Sequence, residues 1–439
     1  MKKILSVLLA VGLLVCCCVT TQAAVTSVRT PTEQATLLFS KQFGKNYKAA
    51  PTPPIVVGDT LLVVSGVKLY KLDAATGEEI NSVKTAGSTL YATVSPVYAD
   101  GKIFVPLDDG TVQAFDYETM QSLWVYTDPL GGQSLCPITV ADGCVYTGFW
   151  NDETDYGNFV CLALEDGQAK WTYKSLGGFY GAGCSVTERY VVVGTDDGER
   201  GSLGTSQIVS LDKTTGDVIS AVAAKGDLRS AVTYSEETNA FYVSSKAGYI
   251  YKLSAEPSGR LSVTQTYAAD GALTAAPVVY NGRLYAGCQS GAAGKFLVLD
   301  AASMHEIYTC EMQGYAQATM LLSTGYESES GNVYIYTTYN ALPGGVTVFT
   351  DSVGQTAAQR TELFAPEAQG QQYCISPIAV GEDGTLYYKN DSGMLFALKK
   401  TEKKKKFFEK VRDAIRRFFV KLAALFGIQM KGAANANGI

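Results

Sequence analysis

LDAATGEEI, residues 72–80, joins two apolar stretches through an aspartate and a Thr-Gly turn. The same order returns as FDYETMQSLW at 115–124, LEDGQAKW at 164–171, LDKTTGDVI at 211–219 and LDAASMHEI at 299–307. A pattern that recurs along one chain marks a structural unit before it marks a chemical centre. Aspartate bonds nearby backbone amides and glycine accepts positive φ, so the motif reads as a tight turn between two strands.

Working outward, a strand start precedes each turn. These starts fall at Pro54, Pro96, Pro137, Ser185, Ala231, Pro277, Thr319 and Pro377. Steps of about 40–50 residues suit one four-stranded propeller blade per repeat. Within a repeat the order is an apolar strand, a polar turn, a second strand, a third such as KLYKLD or QIVSLD, and a fourth such as SLWVY. The eighth repeat stops after its third strand, MLFALKK at 394–400, whereas ATLLFSKQF at 35–43 precedes the first repeat and alternates like a fourth strand. Pairing the two ends removes exposed sheet edges. The fold expected is therefore all-β: an eight-bladed β-propeller of four-stranded blades over 35–400, closed by an N-terminal strand, with a C-terminal amphipathic helix.

Composition agrees, with 46% hydrophobic residues, 18% charged, 44 Gly and 27 Tyr in 439 residues. Lys2 and Lys3 precede an apolar run from Ile4 to Val15, with small residues at Ala23 and Ala24. That is the layout of a secretory signal peptide over 1–24, followed by a leader segment at 25–34, so the protein is expected to be exported, extracellular or associated with the cell envelope. Cys16, Cys17 and Cys18 raise lipid anchoring, but neither Val15 nor Cys16 is the small residue expected before an acylated cysteine; simple cleavage fits better. Seven cysteines remain after the leader. Their odd number and lack of CxxC spacing argue against a disulfide framework and for small buried hydrophobes. Cys136, Cys184 and Cys374 each open an apolar strand, which leaves a thiol cluster near the central axis open.

Residues 25–400 hold 24 basic and 39 acidic residues, whereas 401–439 hold ten and three. An acidic body with a basic tail is not the footprint of a nucleic-acid-binding domain. In the tail, Phe408, Val411, Ile415, Phe418, Leu422 and Leu425 recur at steps of three and four, gathering on one face of a helix over 401–427. Lys410, Arg412, Arg416, Arg417 and Lys421 take the other faces. Such a helix suits an anionic membrane surface. A short coiled coil and docking onto the propeller are the alternatives. Residues 428–439 read as a disordered tail.

The Asp, Thr-Gly and Trp signature resembles the repeats of the pyrroloquinoline-quinone-type propellers over about 35–400. That family includes quinoprotein alcohol dehydrogenases and the non-enzymatic propeller lipoprotein of the outer-membrane barrel-assembly machinery. The resemblance implies that Trp124 and Trp171, in fourth strands, dock on the neighbouring blade, with Ile80, Ile219 and Ile307 replacing them elsewhere. Its dehydrogenase members imply adjacent cysteines, calcium ligands and a catalytic aspartate. Beyond the leader no cysteines are adjacent, and Trp150 stands beside the acidic stretch NDETDY rather than in a recognisable cofactor slot.

His305 lies in a turn and reads as solvent-facing rather than catalytic, and as the single histidine it cannot form a polyhistidine metal site. Asp152, Glu153, Asp155, Asp196 and Asp197 do not match calcium-loop spacing and read as solvated. No cofactor, metal or catalytic residue is assigned. The inter-blade loops carry Tyr91, Gln133, Tyr180, Arg229, Tyr315, Gln317, Gln372 and Tyr373, which would line one mouth of the propeller and hold a protein or glycan partner; packing between blades is the competing role for the tyrosines. The function expected is a non-catalytic binding scaffold. A quinone-dependent or other oxidoreductase, and an envelope assembly factor, are its alternatives.

Overall fold

The computed structural model describes residues 25–44, 51–89, 94–151, 156–197 and 204–401. Their strands pair into eight sheets, seven of four strands and one of five. Blade 1 runs through Ile55–Val57, Thr60–Ser65, Lys68–Asp73 and Glu79–Lys84, from the axis outward. The inner strands of blades 2 to 8 begin at Val97, Thr139, Ser185, Thr233, Val278, Leu321 and Ala379. All eight starts lie within two residues of those read from sequence. Second and third strands carry near-continuous apolar runs because both their faces are covered; Leu61, Leu62, Val63 and Val64 are all fully buried. Outer strands alternate instead, as in Val218–Ala223, since one face meets water.

Each hydrophobic cluster fills the seam between two blades. Phe104 and Trp124 of blade 2 pack with Val145, Val160 and Leu162 of blade 3. In several seams the outer strand is fastened to the next blade's turn between third and fourth strands. Trp124 donates its indole N–H to the Leu164 carbonyl at 3.0 Å, and Trp171 donates to Lys213 at 2.8 Å. Gln265 does the same with its amide to Ser303 at 3.0 Å. The strand register makes Asn81, Ser220 and Tyr308 the counterparts of the tryptophans. Ile80, Ile219 and Ile307 stand one residue earlier, as the bulged residues that correspond to Leu123 and Lys170 in the tryptophan blades; Ile80 is 55% exposed.

The repeated turn now has a second role besides chain reversal. Asp73 accepts from the Ala75 and Thr76 amides and from the Thr76 hydroxyl, at 2.8–3.0 Å. The Thr76 hydroxyl and amide hold the Asp73 carboxyl below the usual carboxylate range. Gly216, at φ 77°, is the seat of the previous blade's tryptophan: a Cβ there would stand 2.7 Å from Trp171. Gly167 seats Trp124 and Gly77 seats Phe39 in the same way, each at 2.5 Å. Blades 2 and 6 have no tryptophan or phenylalanine to receive at this position. There Met120 and Met304 take the positive-φ position and fill the seam themselves.

Closure follows the expected plan. Thr36–Gln42 pairs antiparallel with Met394–Lys399 and completes blade 8. A second contact was not read from sequence: Val25–Thr26 pairs parallel with Leu321–Ser323 on the inner edge of blade 7, giving that sheet its fifth strand. Between the two strands, the buried Thr30 hydroxyl bonds to Tyr336 at 2.7 Å.

The seat predicts a graded cost. Gly216→Ala meets both the left-handed backbone and the Trp171 ring and should destabilise by about 2–4 kcal/mol in urea unfolding. Gly58→Ala, at φ 54° with open space around it, should cost only about 1–2 kcal/mol.

Candidate functional site

In this strand order the inter-blade loops and the loops between second and third strands share one face. A central cavity of about 440 Å³ opens among them and is lined from seven blades among the described residues. Its wall mixes aliphatic side chains, such as Val94, Leu321 and Ile378, with Ser95, Ser185, Thr319 and the amide of Gln317. Among the described residues, Arg229 is its one charged lining residue.

Arg229 is fixed from behind. Its Nε and Nη2 donate to the fully buried Asp196 carboxylate at 3.0–3.3 Å, and Nη2 lies 3.4 Å from Asp227. Lys246 approaches Asp227 at 3.5 Å from the solvent side. The guanidinium covers the Tyr180 ring at 4.3 Å, and Tyr180 meets Trp150 edge-on at 5.5 Å. Trp150 is held in turn by a two-way backbone pairing with Gln133. Guanidinium, phenol and indole thus form one rigid stack beside the cavity. Burial pushes the Asp196 carboxyl up to about 7, with Asp227 adding to the rise and Arg229 opposing it.

The sequence-derived residues separate into distinct environments. Arg229 and Gln317 line the cavity. Tyr180 and Gln133 belong to the adjoining stack. Tyr315 is buried and bonds to Thr274 at 2.8 Å, so it packs between blades as the alternative had it. Gln372 is half-buried, its carbonyl accepting from Gly344 at 2.9 Å, and the neighbouring Tyr373 is 46% exposed. Tyr91 and the membrane-associating positions of the tail lie outside the described residues, as do the signal-peptide residues 1–24, Asp152, Glu153 and Asp155.

Two expectations are corrected. Asp196 and Asp197 are buried rather than solvated, because Arg229 arrives from the next inter-blade loop and the Thr205 and Ser206 amides bond to Asp197. The three strand-opening thiols do not gather: Cys136 and Cys184 share one seam, whereas Cys374 lies in another, between blades 7 and 8. None of the seven described cysteines is in a disulfide. His305 is exposed in its turn, as expected.

A family model described as outer membrane protein assembly factor BamB matches residues 44–175. The solved structure of BamB from Moraxella catarrhalis superposes with a TM-score of 0.58 at 13% identity, covering 83% of this chain and 99% of that one. The eight blades fit a propeller of PQQ-like repeats. The quinohemoprotein alcohol dehydrogenase ADHIIG from Pseudomonas putida HK5 superposes on this PQQ-like propeller with a TM-score of 0.62 at 13% identity, over 85% of this chain and 77% of that one. The computationally designed Ika8 protein gives 0.59 at 14%, over 82% and 98%. At such identities the likeness speaks for the fold alone. No curated protein matches the sequence.

The fold type raises pyrroloquinoline quinone, a tricarboxylate bound with calcium in dehydrogenases. The central cavity of this propeller does not fit it. The cavity wall offers one guanidinium, already compensated by buried aspartates, for three carboxylates. Among the described residues no three His, Cys, Asp or Glu side chains stand where they could hold a metal ion.

The raised Asp196 pKa sets a pH dependence. An ordinary carboxyl titrates near 3.9, so between about 4 and 7 the folded protein binds a proton that the unfolded chain does not. This contribution is fully present below about 4 and is lost as pH rises through 7. In urea unfolding, wild type should therefore lose stability relative to Asp196→Asn across that window, by on the order of a few kcal/mol; a constant difference would count against this assignment.

Proposed function

We propose that this protein is a non-catalytic binding scaffold of the cell envelope, holding a protein partner on the face that carries the inter-blade loops. The rigid Trp150–Tyr180–Arg229 stack beside an open cavity carries this reading. Aromatic and Arg side chains held in place before contact supply most of the energy of protein interfaces, since little side-chain entropy is then lost on binding. The misfit to an acidic quinone favours a scaffold over the oxidoreductase alternative. The envelope setting rests on the signal-peptide layout and agrees with the BamB description of the matching family model.

Partners retained by the full chain from a detergent-solubilised envelope fraction should be lost when Tyr180 and Tyr373 are both replaced by Ala. They should persist when the outer-strand residues Ile80 and Val218 are replaced instead. Arg229 is left intact in this test, because removing it would strand the buried Asp196 and confound binding with unfolding. Retention that survives the tyrosine changes and fails with the outer-strand changes would place the partner on the rim.

The reading extends to the basic segment at 401–427 as an attachment to anionic membrane surfaces through Phe408, Val411, Ile415, Arg416, Arg417, Phe418, Leu422 and Leu425. The full chain should float with vesicles containing phosphatidylglycerol and not with phosphatidylcholine alone, and added salt should weaken the association. A chain ending at Lys400 should stay in the pellet in both cases. Equal flotation of the two chains, or none, would remove the membrane contact from the proposal.

A further inference from the structure

The chain itself shows how the inner rim of the propeller recognises polypeptide. Val25–Thr26 adds a parallel strand to Leu321–Ser323, with Val25 opposite Leu322 and Thr26 opposite Ser323. The bond continues past the strand, as the Thr324 amide donates to the Thr26 carbonyl at 2.8 Å. An extended backbone therefore fits against the axial edge of a blade. Just ahead of this pairing on the same inner segment, Thr319, Met320 and Leu321 line the central cavity. The cavity edge of blade 7 is thus the continuation of an edge that already holds a strand.

Charge narrows the occupant. Asp196 and Asp227 compensate Arg229, Lys246 offsets the second aspartate, and the cavity wall carries no carboxylate among the described residues. An anion gains little there, and a cation finds the guanidinium in its way. Because Asp196 and Asp227 take the Nε and Nη2 edge of Arg229, among the described residues the Nη1 edge is left for an uncharged acceptor such as a peptide carbonyl. The Ser95, Ser185 and Thr319 hydroxyls and the Gln317 amide supply further neutral hydrogen-bonding groups between aliphatic contacts. A cavity of 440 Å³ with this lining is of ligand-binding size.

We infer that the central cavity receives a short, uncharged, extended segment of a partner polypeptide, laid along the inner edge of blade 7 by β-strand addition. Main-chain hydrogen bonds then supply affinity, and the aliphatic and hydroxyl wall selects against charged side chains. The inference rests on the scaffold reading and names what that scaffold grips.

A pool of end-blocked heptapeptides made from Ala, Ser, Thr, Val, Leu, Gln and Tyr tests it, by equilibrium dialysis against the purified full chain with mass-spectrometric readout. A subset should be retained saturably. Methylating alternate backbone nitrogens should lower retention about tenfold or more, because it removes the ladder donors while leaving the side chains in place. Filling the cavity through Ser185→Trp with Thr319→Trp should lower retention similarly, with the thermal transition showing whether the variant remains folded. The methylated pool decides the question alone if that variant does not fold. Absence of any retained peptide, equal retention of the methylated pool, equal retention by the folded filled variant, or displacement by maltoheptaose would each overturn the inference; the last would reassign the cavity to saccharides. Peptide failure alongside intact partner capture that still depends on Tyr180 and Tyr373 would reject the cavity assignment and leave the scaffold reading standing.

Discussion

Side chains from the outer strands, Trp124, Trp171, Gln265 and Phe39 among them, reach the turn of the next blade, and this contact organises the propeller. A single four-stranded blade cannot bury both of its faces, so its stability depends on its neighbours. Trp124 and Trp171 show how the contact is made specific: a large ring covers apolar surface while its N–H satisfies a turn carbonyl that burial would otherwise leave unpaired. The receiving turn responds in size. Glycine stands where a ring must sit, and methionine where the previous blade offers no such ring. Repeats that look degenerate when compared position by position are complementary when compared across the seam.

Ring closure extends the same constraint to the chain ends. Blade 8 has three strands from its own end of the chain, and its exposed edge is covered by Thr36–Gln42. Phe39 on that strand then plays the docking part towards blade 1, resting against Gly77. The segment before it runs back to the axis and ends on the inner edge of blade 7. Through this arm the first described residues reach the inner edge of blade 7, whose preceding residues Thr319, Met320 and Leu321 line the cavity.

The charges beside the cavity are arranged around burial. Asp196 and Asp227 are held out of water by the fold and are tolerable because Arg229 enters between them. This fixes the guanidinium over Tyr180, which would otherwise be one rotamer among several, and turns three inter-blade loops into one surface. The same compensation leaves little electrostatic attraction for an acidic cofactor.

The sequence by itself determined the repeat number, the order of strands and the closing N-terminal strand, because strand alternation and turn chemistry are local and recur. It also placed Trp124 and Trp171 in the seams. It took the bulged residues Ile80, Ile219 and Ile307 for the docking position, one residue early, since a bulge leaves no mark in composition. It read Asp196 and Asp197 as solvated because their partners arrive from other parts of the chain, Arg229 being 33 residues beyond Asp196. Val25–Thr26 carries no strand signature of its own; two residues are too few to show a period. Tyr315 and Tyr373 look alike as loop tyrosines, yet one is sealed against Thr274 and the other is exposed. Only the tertiary structure decided these, because burial and charge pairing depend on which distant segments the closed ring brings together.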